Sequence, residues 1–95
     1  MALKGDDVTV AASATLLFTA TSAASATNPQ KIIIQNNTST ICTVGASDVA
    51  AGSNGIVLPA SGNNKVELNL TQPAEEVYAI SSSGNISIQY LVDNV

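Results

Sequence analysis

The sequence predicts an all-β fold, a compact antiparallel β-sandwich, and three observations carry that expectation. Helical periodicity is nearly absent along the chain. Short runs rich in β-branched and apolar residues recur between clusters of Gly, Asn, Ser and Pro, which is how sandwiches and barrels read in sequence. Two stretches, residues 65–70 and 86–92, alternate apolar and polar residues with the period of a strand that has one face in a core. At 95 residues the chain is expected to be a single domain, residues 1–95, and only modestly stable alone.

Taken in order, Val8-Thr9-Val10 alternates, and residues 15–20 form a strand centred on Leu16, Leu17 and Phe18. A Ser/Thr/Ala-rich connection follows over residues 21–30, closed by Asn28-Pro29, a pair that starts turns. Ile32-Ile33-Ile34 is a β-branched run of the kind found in strands buried on both faces. Asn36-Asn37-Thr38-Ser39 reads as a turn into a strand over residues 40–44, so residues 31–44 are expected to form a hairpin. Residues 45–54 read as a loop whose last turn is Asn54-Gly55, a dipeptide suited to positive φ. Ile56-Val57-Leu58 is a short strand stopped by Pro59, and Ser61-Gly62-Asn63-Asn64 is a turn.

Along residues 65–70, Val66, Leu68 and Leu70 share one face and Lys65, Glu67 and Asn69 the other. Residues 71–76 turn the chain, residues 77–80 form a strand, and residues 81–85 form a hairpin loop. The last strand sets Ile86, Ile88, Tyr90 and Val92 on one face. About eight strands result, a number that also suits a jelly-roll-like sandwich; strand order is not legible from the pattern.

Composition narrows the function. Charged residues are 11% of the chain, with three Lys, no Arg and no His, and the net charge is −4. An ordinary soluble domain is roughly 25% charged. No basic footprint exists for nucleic acid or for an acidic membrane surface, so neither is expected as a partner. The polar residues are mainly Ser, Thr and Asn, which are short and lose little freedom on ordering. Such a surface packs against another protein with little charge repulsion.

The weakly apolar residues 8–26 end in Ala24-Ser25-Ala26, like a signal-peptidase site. Asp6 and Asp7 at the start, and the Thr and Ser interruptions, are unlike a secretory signal. Synthesis in a cytoplasm is the expectation.

Catalysis is not expected. Cys42 is the single cysteine, sits in an apolar strand pattern, and has no His to activate it. The carboxylates are scattered: Asp6-Asp7 near one end, Glu75-Glu76 in a turn where neighbours diverge, Asp48 alone, and Asp93 near the other end. A glycosidase needs two carboxyl groups held across a cleft. A calcium ion needs six to eight oxygens, more than Asp48, Asn54 and loop carbonyls supply, so Asp48 is expected to cap its own turn. Phe18, Tyr78 and Tyr90 are the aromatics, and each falls in a strand among apolar neighbours, which favours packing over sugar stacking. No catalytic, cofactor-binding or metal-binding residue is assigned, and no cofactor is expected.

The order of motifs from Ile32 onward carries a resemblance. Ile34-Gln35-Asn36 is followed by Val44-Gly45-Ala46-Ser47-Asp48-Val49, then Asn54-Gly55-Ile56-Val57-Leu58. Val77-Tyr78-Ala79-Ile80-Ser81 and Gly84-Asn85-Ile86-Ser87-Ile88 close the chain. This order resembles small virion structural proteins of tailed bacteriophages, over about two-thirds of the chain. It departs from them at Pro59-Ala60-Ser61-Gly62, where a Pro-Gly turn is more usual.

The resemblance implies a structural role in a phage particle. The leading expectation is a capsid decoration (cement) protein on the outer head, in contact with the major capsid protein and with copies of itself as a homotrimer. Residues 1–12 are expected to be an N-terminal contact arm that can be removed without unfolding the sandwich. Another small virion component, such as a head-fibre base, tail or baseplate protein, is the alternative. A carbohydrate-binding or adhesin module is the alternative of a different class.

Overall fold

The computed structural model describes residues 3–60 and 64–95. It is all-β: β1 (Leu3–Val10), β2 (Thr15–Thr19), β3 (Gln30–Asn36), β4 (Cys42–Ala50), β5 (Ser53–Leu58), β6 (Asn64–Leu70), β7 (Glu76–Ser81) and β8 (Ile86–Asp93). Two four-stranded antiparallel sheets have the orders β1-β8-β3-β6 and β2-β7-β4-β5. The first strand pairs with the eighth, the second with the seventh, the third with the sixth and the fourth with the fifth. This is the connectivity of a long hairpin rolled into two layers, the eight-stranded jelly roll.

The core follows the alternation. Ile32 and Ile34 of β3, and Ile86, Ile88, Tyr90 and Val92 of β8, point inward from one sheet. Phe18, Cys42, Val44, Leu58, Val77 and Ala79 meet them from the other. Phe18 and Tyr90 touch across the layers with ring centroids 5.7 Å apart and planes at 59°, a tilted contact of the kind aromatic pairs favour. The connection at residues 21–29 closes one end. Gln30, fully buried, accepts the Thr21 N–H on Oε1 at 3.0 Å and donates from Nε2 to the Asn94 carbonyl at 2.9 Å. Asn94 in turn donates to the Asn28 carbonyl at 2.9 Å.

Several expectations change. The hairpin over residues 31–44 does not form: β3 and β4 lie in different sheets. Asn36 is the reason at residue level. It is fully buried, its amide donates to the carbonyls of Thr40 at 2.9 Å and Leu58 at 3.1 Å, and its oxygen accepts from Thr38. The segment read as a turn is therefore a crossover pinned between layers.

The triple isoleucine is not buried on both faces. Ile33 points away from the core and is half-buried, because among the described residues no second layer covers that side of the sheet.

The loop over residues 45–54 is mostly strand. β4 runs to Ala50, the turn is Ala51-Gly52, and Asn54, at φ 58°, belongs to β5. Residues 46–49 bulge opposite Asn54 alone, since Gly45 pairs with Gly55 and Ala50 with Ser53. A Cβ on Gly55 would lie 2.3 Å from the Val44 carbonyl oxygen, and one on Gly45 would lie 2.7 Å from that of Asn54. The glycines serve this close backbone approach rather than a two-residue turn. The tip folds back so that the Gly52 N–H reaches Thr43 Oγ1 at 3.0 Å.

The expected contact arm is built into the sheet. Leu3–Val10 pair residue for residue with β8, and Val10 is fully buried. Removing this segment would uncover β8 and the core beneath Val10, so the expectation that it is dispensable for folding is withdrawn. Residues 1–2 of that arm lie outside the described residues, as does the expected turn at residues 61–64 up to Asn64.

Candidate functional site

The carboxylates do not converge. Asp6 Oδ1 accepts the neighbouring Asp7 N–H at 2.8 Å. Glu75 Oε1 accepts the N–H groups of Thr71 and Gln72, each at 2.8 Å, and so caps its own turn. Asp93 Oδ1 accepts the Lys31 N–H at 3.0 Å. Glu76 faces the Tyr78 hydroxyl at 3.4 Å. Asp48 lies on β4 and enters through its backbone, its carbonyl accepting from Asn54 Nδ2 at 3.2 Å. Among the described residues no three His, Cys, Asp or Glu side chains group to hold a metal ion.

Cys42 is fully buried, and loss of solvent pushes its thiol up to about 11, against a smaller opposing effect of a backbone hydrogen bond with Ile80. A thiol so held is protonated and unreactive at neutral pH. Burial also raises the Tyr90 hydroxyl, and the Asp6 carboxylate adds to it. Asp6 shares the core-facing side of β1 with Lys4, since their partners Tyr90 and Val92 face inward. Both line an open mouth of about 400 Å³ between β1 and β2, with Leu16, Phe18 and Tyr90. Inward-facing charges on an edge strand discourage further strand addition there.

What remains is surface. On the outer face of the β1-β8-β3-β6 sheet, Leu3 is 66% and Leu91 45% exposed, and Ile33 is half-buried. Gly5 and Ile33 lie on either side of Leu91 in register, so the leucine spreads over bare backbone, its Cδ1 close to where a Gly5 Cβ would be. Gln35, Lys65 and Gln89 complete a shallow hollow of about 260 Å³ beside it.

The opposite outer face carries exposed Leu16 and Val57 and half-buried Tyr78. Scattered exposed apolar residues are ordinary, but a contiguous strip on a flat sheet marks a contact surface. No single motif points to these residues. Their signal is phase: Ile33 and Leu91 fall on the polar side of their strands' alternation.

No protein-family model, no curated protein and no solved structure matches this chain.

Proposed function

We propose that this protein is a non-enzymatic structural component of a tailed-bacteriophage particle, a decoration protein that binds the outer head and bridges capsomers. The observation that carries the reading is the exposed apolar group of Leu3, Ile33 and Leu91 on one outer sheet face, in a chain with few charges overall. Lys31, Lys65, Glu67 and Asp93 border this apolar group on the same face, so a partner would bury the leucines and match the charges around them. Strand β1 keeps the contact role assigned to the N-terminal segment, now through Leu3 on a sheet face instead of a free arm. The resemblance in motif order supports the phage setting. The partners are the major capsid protein and further copies of this chain, grouped as trimers at local three-fold positions of the head.

Co-sedimentation tests this. Purified protein added to heads lacking it should pellet with them, and Leu91→Glu combined with Leu3→Glu should abolish pelleting while leaving the melting temperature within a few degrees. Binding to tails or baseplates alone would move the protein to another part of the particle. No binding to any particle component would overturn the reading.

A second reading, a carbohydrate-binding or adhesin module, draws on Tyr78, half-buried beside Leu16 on the other outer face, and on the use of jelly rolls as lectins. Reproducible saccharide binding by the isolated protein on a glycan array would favour it.

A further inference from the structure

Four strands lie at sheet edges, and three are unsuited to pairing further. β1 carries Lys4 and Asp6 on its core-facing side. β2 is five residues long with a break in register between Leu16 and Phe18. β5 is broken in register at Asn54, which has positive φ and lies opposite the bulge of β4. These are the devices by which sheets protect an edge.

β6 has none of these three, and its charges, Lys65 and Glu67, stand on the outer face and not toward the core. It runs for seven residues in unbroken register with β3, contains neither Gly nor Pro, and has no strand on its far side among the described residues.

We infer that β6 pairs antiparallel with β6 of a second copy about a two-fold axis through Val66, continuing the sheet across both molecules. The pairing must keep core-facing residues on one side, since a slip of one residue turns them over. The centres that satisfy this near the middle of the strand are Val66, Glu67 and Leu68. A centre on Glu67 sets two glutamates directly opposite. A centre on Leu68 sets Glu67 opposite Asn69. A centre on Val66 sets Lys65 of each copy opposite Glu67 of the other, and it alone matches charge with charge.

Both side chains are exposed on the outer face, and Glu67 already lies 3.8 Å from Lys31 of its own chain. The pair would thus place Glu67 between two lysines. A foreign strand would leave these charges unmatched, so the edge selects its own kind.

Apolar surface beside the edge fits the same occupant. An open cleft of about 310 Å³ lies between the two layers here, lined by Val44, Ile56, Leu68, Leu70 and Val77. Ile56 is 46% exposed, and Val66 and Leu68 are half-buried. A two-fold axis perpendicular to the sheet sets the clefts of the two copies side by side and covers these residues. The inference does not rest on the phage reading.

Native mass spectrometry and light scattering of the whole protein test it, with circular dichroism and melting curves showing that each variant is folded. Wild type should be a dimer in equilibrium with monomer. Lys65→Glu and Glu67→Lys should each weaken dimerisation roughly tenfold or more, because each sets like charges opposite. Equal amounts of the two variants should form a one-to-one heterodimer, and the double exchange K65E/E67K should recover the homodimer.

A wild type that stays monomeric up to roughly 1 mM would overturn the proposal, since that marks a free energy too small for specific pairing. So would a trimer in solution, single variants that dimerise like wild type, or the failure of mixing and double exchange to restore the pair. A dimer in solution would count against the three-fold grouping proposed above and a trimer would support it, but none of these outcomes bears on whether the protein binds heads, so head binding and strand pairing fail separately.

Discussion

Along the β1-β8-β3-β6 sheet, three strand pairs run without a break in register; in the β2-β7-β4-β5 sheet, two of the three pairs carry one. The first sheet is built from period-two alternation, with Ile32 and Ile34 inward and Ile33 outward. The second bends at paired glycines, where β4 and β5 come too close for a side chain, and folds its hairpin tip back toward Thr43. One sheet thus derives its shape from which side chains face the core. The other derives part of its shape from where side chains are missing. A sheet in unbroken register leaves one edge fit for pairing, whereas bulges twist an edge away from partners.

The largest expected effect tests the side-chain half of this contrast. Ile34→Ala removes a fully buried side chain from the centre of the core and should destabilise the protein by about 2–5 kcal/mol in urea unfolding. Ile33→Ala, the same change one residue away on the uncovered face, should cost about 1 kcal/mol or less. Equal costs would mean that the outer face of this sheet is covered in solution.

Gly55→Ala tests the backbone half. The added Cβ would meet the Val44 carbonyl oxygen at 2.3 Å, so the strands must part, at about 1–3 kcal/mol. A neutral substitution would show that the β4–β5 crossing yields easily and that the glycines do not shape this sheet.

The smallest effect appears at high pH. Cys42 ionises near 9 in an unfolded chain and near 11 in the folded one, so above pH 9 the unfolded state has lost a proton that the folded state still holds. Stability from this group is complete below pH 9 and is lost as pH rises toward 11. The melting temperature should fall across that window, and Cys42→Ala should flatten part of the fall. Tyr90, shifted in the same direction, accounts for some of what remains. A fall unchanged by Cys42→Ala would remove the cysteine from the account.

The sequence by itself determined that the chain is all-β, and it located the core residues of β6 and β8. Strict alternation has one reading, because successive side chains of a strand point to opposite faces. It also gave Cys42 and the aromatic pair Phe18 and Tyr90 to the interior, since each sits among apolar neighbours in a strand.

Only the tertiary structure decided which strands are partners. Asn36-Asn37-Thr38-Ser39 has the chemistry of a hairpin turn, yet Asn36 spends its hydrogen bonds on Thr40 and on Leu58, 22 residues away. Local turn preference is weak beside the burial of two sheets against each other, so the chain crosses between layers where the pattern suggests that it doubles back. Gly45 and Gly55 likewise read locally as loop residues, and only their pairing across two strands gives the reason for both. The candidate contact surfaces share that origin. Leu3, Ile33 and Leu91 lie far apart in sequence, and they form one strip because β1, β8 and β3 lie side by side.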